Sequence, residues 1–323
     1  MKKIALYGTF SDNMVTCLKE KCPEGFSLYH VHENAPVQEL EEANYIISRA
    51  GTVGEAAFEA APKLRFVQKW GVGYDKIDVK AAGRRGIPVS ICTGGNSLPV
   101  AELTVALMLA VLRNVVSMNI RMKAGQWDRD RFFPRSFLLS GKTVGLVGIG
   151  NIAKKVAAIL RGGFGCKILY YDLMRLPEEV EKEMNVQYVS LSDLMKQSDV
   201  ISLHVPLLPS TEGMIDRDKF SMMKSTAIII NTSRGGVINE QDLIEALEEG
   251  TILGAGLDTY SQEPLSKDSL LQKLEQVVTT PHCGGNTVDN DINMAEICMH
   301  CIQTYDASED KTMQTIVNKE YLA

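Results

Sequence analysis

The chain has 323 residues, enough for two domains at roughly 150 residues each. Its 45% hydrophobic and 23% charged residues match ordinary globular proteins, which excludes a disordered chain, a collagen-like chain and a membrane bundle. Lys plus Arg number 34 against 40 Asp plus Glu, and the net charge of −6 gives no broad footprint for nucleic acid, while leaving room for a local basic site that holds a small anion.

Short β-rich runs alternate with helical patterns along the chain. Strands are expected at Ile4–Tyr7, Tyr45–Ser48, Arg65–Lys69, Thr143–Val147, Ile168–Tyr171, Val200–Leu203, Thr226–Ile230, Ile252–Leu257 and Val277–Thr279. Several are unbroken Val/Ile/Leu runs, as in parallel strands buried on both faces. Helices are expected at Leu98–Arg113, Lys154–Leu160, Leu191–Gln197, Glu240–Glu249 and about Asn286–Tyr305. Repeated βαβ units of this kind build open parallel sheets with helices on both sides. Gly94-Gly95 and Gly284-Gly285 each precede a long helix and read as hinges. The aromatic and charged segment Gly125–Ser140 reads as a crossover into the strand at Thr143.

The apolar stretch Leu103–Leu112 is about half a membrane span and reads as a buried helix, so no membrane partner is expected. Ile4–Tyr7 is too short for a signal h-region. The seven cysteines are odd in number and scattered, which fits thiols in a cytoplasmic protein rather than a disulfide framework. Cys298-x-x-Cys301 lies in a helical pattern without a second such pair, so packing is expected and no metal site.

The most informative stretch is Thr143–Val147 followed by Gly148-Ile-Gly150-Asn151-Ile152-Ala153 and a helical pattern. Gly148 permits a tight turn, Gly150 lets the backbone approach a pyrophosphate, and Ala153 allows close helix–strand packing. The helix N-terminus then offers its unpaired N–H groups to the anion. An acid at the end of the next strand, about 20 residues on, completes this dinucleotide fingerprint, and Asp172 stands there. A carboxylate at that point accepts from the adenosine ribose hydroxyls and repels a 2′-phosphate, favouring NAD. Arg175, three residues further, is the cation that would suit NADP instead. Gly71-Val-Gly73 and Gly254-Ala-Gly256 share the GxG pattern, but neither opens a helix in register. Gly71–Gly73 follows a strand and can still bring backbone N–H groups to a ligand.

A nicotinamide-dependent reaction needs a substrate anchor, a proton donor and a group that tunes the donor. Three strand ends supply candidates: Asn231-Thr232-Ser233-Arg234-Gly-Gly, Asp258-Thr-Tyr-Ser-Gln-Glu263-Pro, and Pro281-His282-Cys-Gly284-Gly. Carboxyl ends of strands in an open parallel sheet face the ligand crevice.

With Leu203-His204-Val205-Pro206-Leu and Thr211 added, these motifs stand in the order found in D-isomer-specific 2-hydroxyacid dehydrogenases, and the chain resembles that family from about Tyr45 to Asn290. Within it, Gly94–Thr104 is most similar to the phosphoglycerate dehydrogenase branch. The resemblance implies two doubly wound parallel-sheet domains. A Rossmann NAD-binding domain, 99–286, is inserted into a flavodoxin-like substrate domain, 1–98 and 287–323, with both hinges at a cleft. It also implies a homodimer, which the helix Leu103–Leu112 and the arm Gly125–Ser140 would serve, and no serine-feedback domain beyond Ala323.

By the same resemblance Arg234 grips the substrate carboxylate and polarises the 2-oxo group, a task suited to a charged fork. His282 passes the proton, and Glu263 holds its tautomer and favours the imidazolium. Gly148, Gly150, Asn151, Ile152, Asp172, His204, Val205, Pro206, Thr211, Thr232, Ser233, Asp258, Gly284 and Thr104 fall at cofactor positions. Val72, Gly73 and Asn96 fall at substrate positions. Lys69 stands where phosphoglycerate dehydrogenases typically carry Arg, so Lys69 with Arg49 reads a second anionic group on the substrate, or both are solvated charges at strand ends. Trp70 and Tyr74 could instead wall an apolar pocket. The expected substrate is therefore a small 2-oxo or 2-hydroxy acid, such as phosphohydroxypyruvate/3-phosphoglycerate or, alternatively, glyoxylate, hydroxypyruvate or an apolar 2-oxo acid. Formate and phosphite oxidation are disfavoured because Thr280 and Val72 stand where those enzymes carry Gln and Lys. A non-catalytic NAD(H)-sensing protein is the alternative class; intact Arg234, Glu263 and His282 favour catalysis.

Overall fold

A computed structural model describes residues 1–322. The chain divides into two compact units, one of Met1–Asn96 with Gly285–Ala323 and one of Ser97–Gly284.

The first unit holds strands β1 (Lys2–Tyr7), β2 (Phe26–Val31), β3 (Tyr45–Ser48), β4 (Phe66–Lys69) and β5 (Val89–Ile91), in the order β2-β1-β3-β4-β5. All four ladders are parallel, the flavodoxin-like arrangement, and the strand order reverses at β1/β3. Alternate residues of one strand feed two different cores. Ile4, Leu6, Tyr45, Ile47 and Phe66 pack with the helix Val288–Ser308, while Ala5, Tyr7, Ile46 and Val67 pack on the opposite face. Burial on both faces is why these strands are unbroken apolar runs. Cys298 and Cys301 belong to the first of these cores, and the Cys298 sulfur lies 3.5 Å from that of Cys92.

The second unit holds β6 (Thr143–Val147), β7 (Lys167–Tyr171), β8 (Val186–Tyr188), β9 (Val200–Leu203), β10 (Ile228–Asn231), β11 (Gly254–Leu257) and β12 (Val277–Thr279). Their order β12-β11-β10-β9-β6-β7-β8, again wholly parallel, is the Rossmann order with one added strand, and it reverses at β6/β9. The helix Ser97–Leu112 lies in one core of this unit, so the apolar stretch Leu103–Leu112 is interior packing. It sits so close to β11 that a Cβ on Gly256 would meet Leu107 at 3.1 Å, and one on Gly254 would meet Val111 at 2.9 Å. The Gly254-Ala-Gly256 run is therefore a packing device for this helix. The exposed apolar surface begins one helix later, in Val115–Lys123, which buries none of its residues. No single helix is long and apolar enough to cross a membrane among the described residues.

Candidate active site

The glycine turn lies at the strand-order reversal of the larger sheet. Gly148 has φ +94°, a left-handed backbone that favours glycine, and a Cβ there would stand 2.9 Å from the His204 backbone. The turn after β6 thus rests directly on His204-Val205 after β9. Gly150 caps the helix Asn151–Phe164 in extended geometry without a side-chain cap, leaving the first N–H groups of Asn151 and Ile152 open. A Cβ on Gly150 would meet nothing within 4 Å. Open space beside uncapped N–H groups is what a nucleotide pyrophosphate requires, so these residues fit a dinucleotide.

Asp172 follows β7, and its Oδ2 accepts the Ile149 N–H at 2.9 Å while Oδ1 accepts that of Met174 at 3.2 Å. The carboxylate thereby fixes the glycine turn and retains lone pairs for further donors. His204 hydrogen-bonds Ser202 at 2.9 Å, and burial pushes its pKa down to about 4, so its ring is neutral at pH 7. Thr211 closes the following loop, donating to the Pro206 carbonyl at 2.6 Å and accepting the Leu208 N–H at 2.8 Å. Thr104 is fully buried, with its hydroxyl bonded to the Val100 carbonyl and to Thr232. It supports Thr232 from inside the core.

Three loops after β10, β11 and β12 carry Arg234, Glu263 and His282. Asn231, itself buried, shapes the first: its amide donates to the Arg234 carbonyl at 2.9 Å and its oxygen accepts from Ser233 N–H and hydroxyl. Gly235 lets this loop press on the next, since a Cβ there would overlap the Tyr260 carbonyl carbon at 1.8 Å. Asp258, 2% exposed, spends its carboxylate on the third loop. Oδ1 accepts from Cys283 N–H and the Thr280 hydroxyl, and Oδ2 accepts from Gly284 N–H, all within 2.9 Å. Tyr260 adds a second tie, its hydroxyl reaching the Thr280 carbonyl at 2.7 Å and its N–H donating to Glu263.

The outcome is a pair: His282 Nδ1 lies 2.8 Å from Glu263 Oε2, leaving Nε2 for a ligand. His282 has φ +51°, an uncommon conformation for a non-glycine residue, held by the ties from Asp258 and Tyr260. Burial raises the Glu263 carboxyl, but the bonds from His282 and Tyr260 and the Arg234 charge outweigh it and hold its pKa below the ordinary value. The anchoring roles of Asp258, Thr280 and Tyr260 toward His282 were not legible in the motifs, because they depend on which strand ends are neighbours.

In the other unit, Lys69 ends β4 and donates its ammonium to the Arg49 carbonyl after β3. Arg49 donates to the carbonyl of Thr9 at 2.6 Å and to Asn286 at 3.2 Å. Val72 and Gly73 follow β4, and their N–H groups make no hydrogen bond among the described residues. The Asn96 side-chain oxygen is buried without a partner.

Residues 105–284 match the model of the D-isomer-specific 2-hydroxyacid dehydrogenase NAD-binding domain. A glyoxylate reductase of Korarchaeum cryptofilum is 40% identical over 287 residues, covering 86% of each chain. A D-3-phosphoglycerate dehydrogenase of Methanocaldococcus jannaschii is 42% identical over 253 residues, 78% of this chain and 47% of that one. The solved D-lactate dehydrogenase of Aquifex aeolicus, complexed with NAD and lactic acid, superposes with a TM-score of 0.82 at 26% identity, covering 98% and 99% of the two chains. With its NAD-binding fold and these relatives, the chain belongs to the D-isomer-specific 2-hydroxyacid dehydrogenase family and is an NAD-dependent oxidoreductase.

Proposed function

We propose that this enzyme reduces a small 2-oxo acid to its D-2-hydroxy acid, and that Arg234, Glu263 and His282 carry the reaction. The observation that bears most weight is the 2.8 Å His282–Glu263 pair, with Arg234 close enough to lower the Glu263 carboxyl. NADH, when bound, supplies hydride to the 2-position carbon. His282 delivers the proton to the developing alkoxide from Nε2, and Glu263 fixes the ring and supports its positive form. Arg234 orients the substrate carboxylate and stabilises charge on the 2-oxo oxygen. Gly148, Gly150, Asn151, Ile152 and Asp172 hold the adenosine diphosphate portion, and His204, Val205, Pro206, Thr211, Thr232 (backed by Thr104), Ser233, Asp258 and Gly284 complete the cofactor side.

For the substrate, the open N–H groups of Val72 and Gly73 suit a carboxylate, and the orphan oxygen of Asn96 suits a hydroxyl donor. Arg49 is half-buried and its hydrogen-bond acceptors are both neutral. Burial pulls its pKa below the ordinary arginine value, partly offset by the charges of Asp291 and Glu33. We therefore read Arg49 with Lys69 as the recognition group for a second anion on the substrate, as in phosphohydroxypyruvate. A second reading, glyoxylate or hydroxypyruvate reduction, is favoured by the glyoxylate reductase similar over most of both chains.

NADH oxidation across 2-oxo acids with and without a phosphate or second carboxylate separates the two. The expected result is a preference for the dianionic substrate that falls at least tenfold in kcat/KM on Arg49→Ala. Equal use of glyoxylate, unaffected by Arg49→Ala and Lys69→Ala, would establish the second reading.

A cytoplasmic setting belongs to the same proposal and fits the seven cysteines standing as thiols. So does a homodimer in which a second copy covers the exposed apolar side chains of Met118, Ile120, Met122, Trp127 and Phe133.

A further inference from the structure

The loop after β7 carries a cation three residues beyond Asp172 and pairs it with an acid of the following helix. Arg175 donates from Nε and Nη2 to the two oxygens of Glu181, at 2.9 and 2.8 Å, and lies over the Tyr188 ring at 5.5 Å. Glu181 is a buried acid on the helix Glu178–Met184. It also accepts the Tyr170 hydroxyl at 2.5 Å, and that hydroxyl in turn accepts the Leu176 N–H at 2.9 Å. Arg175 first, then Tyr170, hold the Glu181 carboxyl down to about 2, so it is fully charged at working pH. Between Arg175 and the end of β7, Leu173 and Met174 are about 80% exposed.

We propose that Glu181 is a specificity residue for the dinucleotide: by clamping Arg175 it removes the cation that would otherwise recognise a 2′-phosphate. The proposal rests on the reading that Asp172 faces the adenosine ribose. Exclusion of the 2′-phosphate then has two parts, an anion that repels it and a neighbouring cation whose charge and fork are already spent. Asp172, Arg175 and Glu181 together carry one net negative charge; removing either acid makes the set neutral, and removing both makes it positive. The Glu181 carboxylate is buried while Arg175 is exposed, so the clamp acts through its bidentate geometry, which holds two of the guanidinium donors that a phosphate would otherwise use.

Binding of adenosine 2′,5′-bisphosphate and of ADP, measured by displacement of NADH fluorescence, tests this without turnover. Asp172→Ser is expected to raise affinity for the bisphosphate relative to ADP. Adding Glu181→Gln is expected to raise it about tenfold more, and adding Arg175→Ala to that pair to abolish the second gain. In the Asp172→Ser protein with Glu181 intact, Arg175→Ala should change bisphosphate affinity less than about twofold, an arm that stands even if the Glu181 variant does not fold. No added gain from Glu181→Gln, a gain that survives Arg175→Ala, or a tenfold loss on Arg175→Ala with Glu181 intact would overturn the clamp alone. If Asp172→Ser leaves both ligands unchanged, the ribose reading fails and the clamp fails with it.

Discussion

In the proposed reaction, Glu263 is the residue whose environment bears most directly on the chemistry. Its carboxyl is held below the ordinary value, so it is an anion at neutral pH, 2.8 Å from the His282 ring. In the proposed reaction that ring gives up the proton that reduction consumes. Glu263→Gln keeps a hydrogen-bond acceptor and removes the charge, so the alkaline limb of the reduction profile should move to lower pH. In the oxidation direction, which needs the neutral ring, the acid limb should extend to lower pH. Measured pH–rate profiles that do not move would contradict the pairing. His282→Ala should lower kcat by roughly 10³-fold while NADH affinity stays within about twofold. Both residues were readable from their motifs. Their support was not: Tyr260 is given no role by the sequence, yet its hydroxyl and N–H tie the Glu263 and His282 loops together.

At the scale of elements, the glycine turn separates structural from functional glycines. Gly148→Ala forces a left-handed residue against the His204 backbone, at a cost of about 1–2 kcal/mol for the conformation alone, and should lower the melting temperature. Gly150→Ala meets nothing within 4 Å and starts from φ −72°, so the melting temperature should stay unchanged while NADH affinity falls at least tenfold. Titration calorimetry with thermal denaturation reads both; unchanged NADH binding in Gly150→Ala would remove the pyrophosphate from this turn. Among the interior strands, β1, β3, β6, β7, β9 and β10 were legible because burial on two faces makes them largely apolar runs, whereas β4 keeps buried Gln68 and Lys69 and β11 is Gly-Ala-Gly-Leu. The strands not anticipated, β2, β5 and β8, are all sheet edges. An edge strand has one neighbour, and β2 is accordingly only half-buried, with Ser27 and His30 in its run, while β5 and β8 are three residues long.

Over the whole molecule, the exposed apolar surface and the acid-labile contacts govern assembly and stability. Ile120 is 61% exposed on a helix with no fully buried residue, and Trp127 and Phe133, which follow that helix, are 79% and 80% exposed. If a second copy covers this surface, Ile120→Glu with Trp127→Glu should convert a dimer to a monomer in sedimentation velocity; a wild-type protein that is already monomeric at micromolar concentration would rule it out. Acid stability follows from Glu181. Its pKa is depressed to about 2 against about 4.3 unfolded, so its contribution is complete above pH 5 and is lost as the pH falls toward 2. The stability gap between wild type and Glu181→Gln should therefore narrow from pH 6 to pH 3 in denaturant titrations. A gap independent of pH would mean that Glu181 acts through packing alone.

Length, patterning and five short motifs were sufficient to specify two parallel α/β sheets, a dinucleotide turn and an arginine, glutamate and histidine at strand ends. Those features are local: a tight turn needs glycine where it occurs, and a doubly buried strand must be apolar along its length. The tertiary structure decided what has no local signature. It assigned Leu103–Leu112 to a core and Gly254-Ala-Gly256 to the helix packed on it. It spent the Asp258 carboxylate on the His282 loop and gave Arg175 to Glu181. Each of these depends on strand order and on the distance between residues remote in sequence, and a hydrogen bond is made or lost within a few tenths of an ångström.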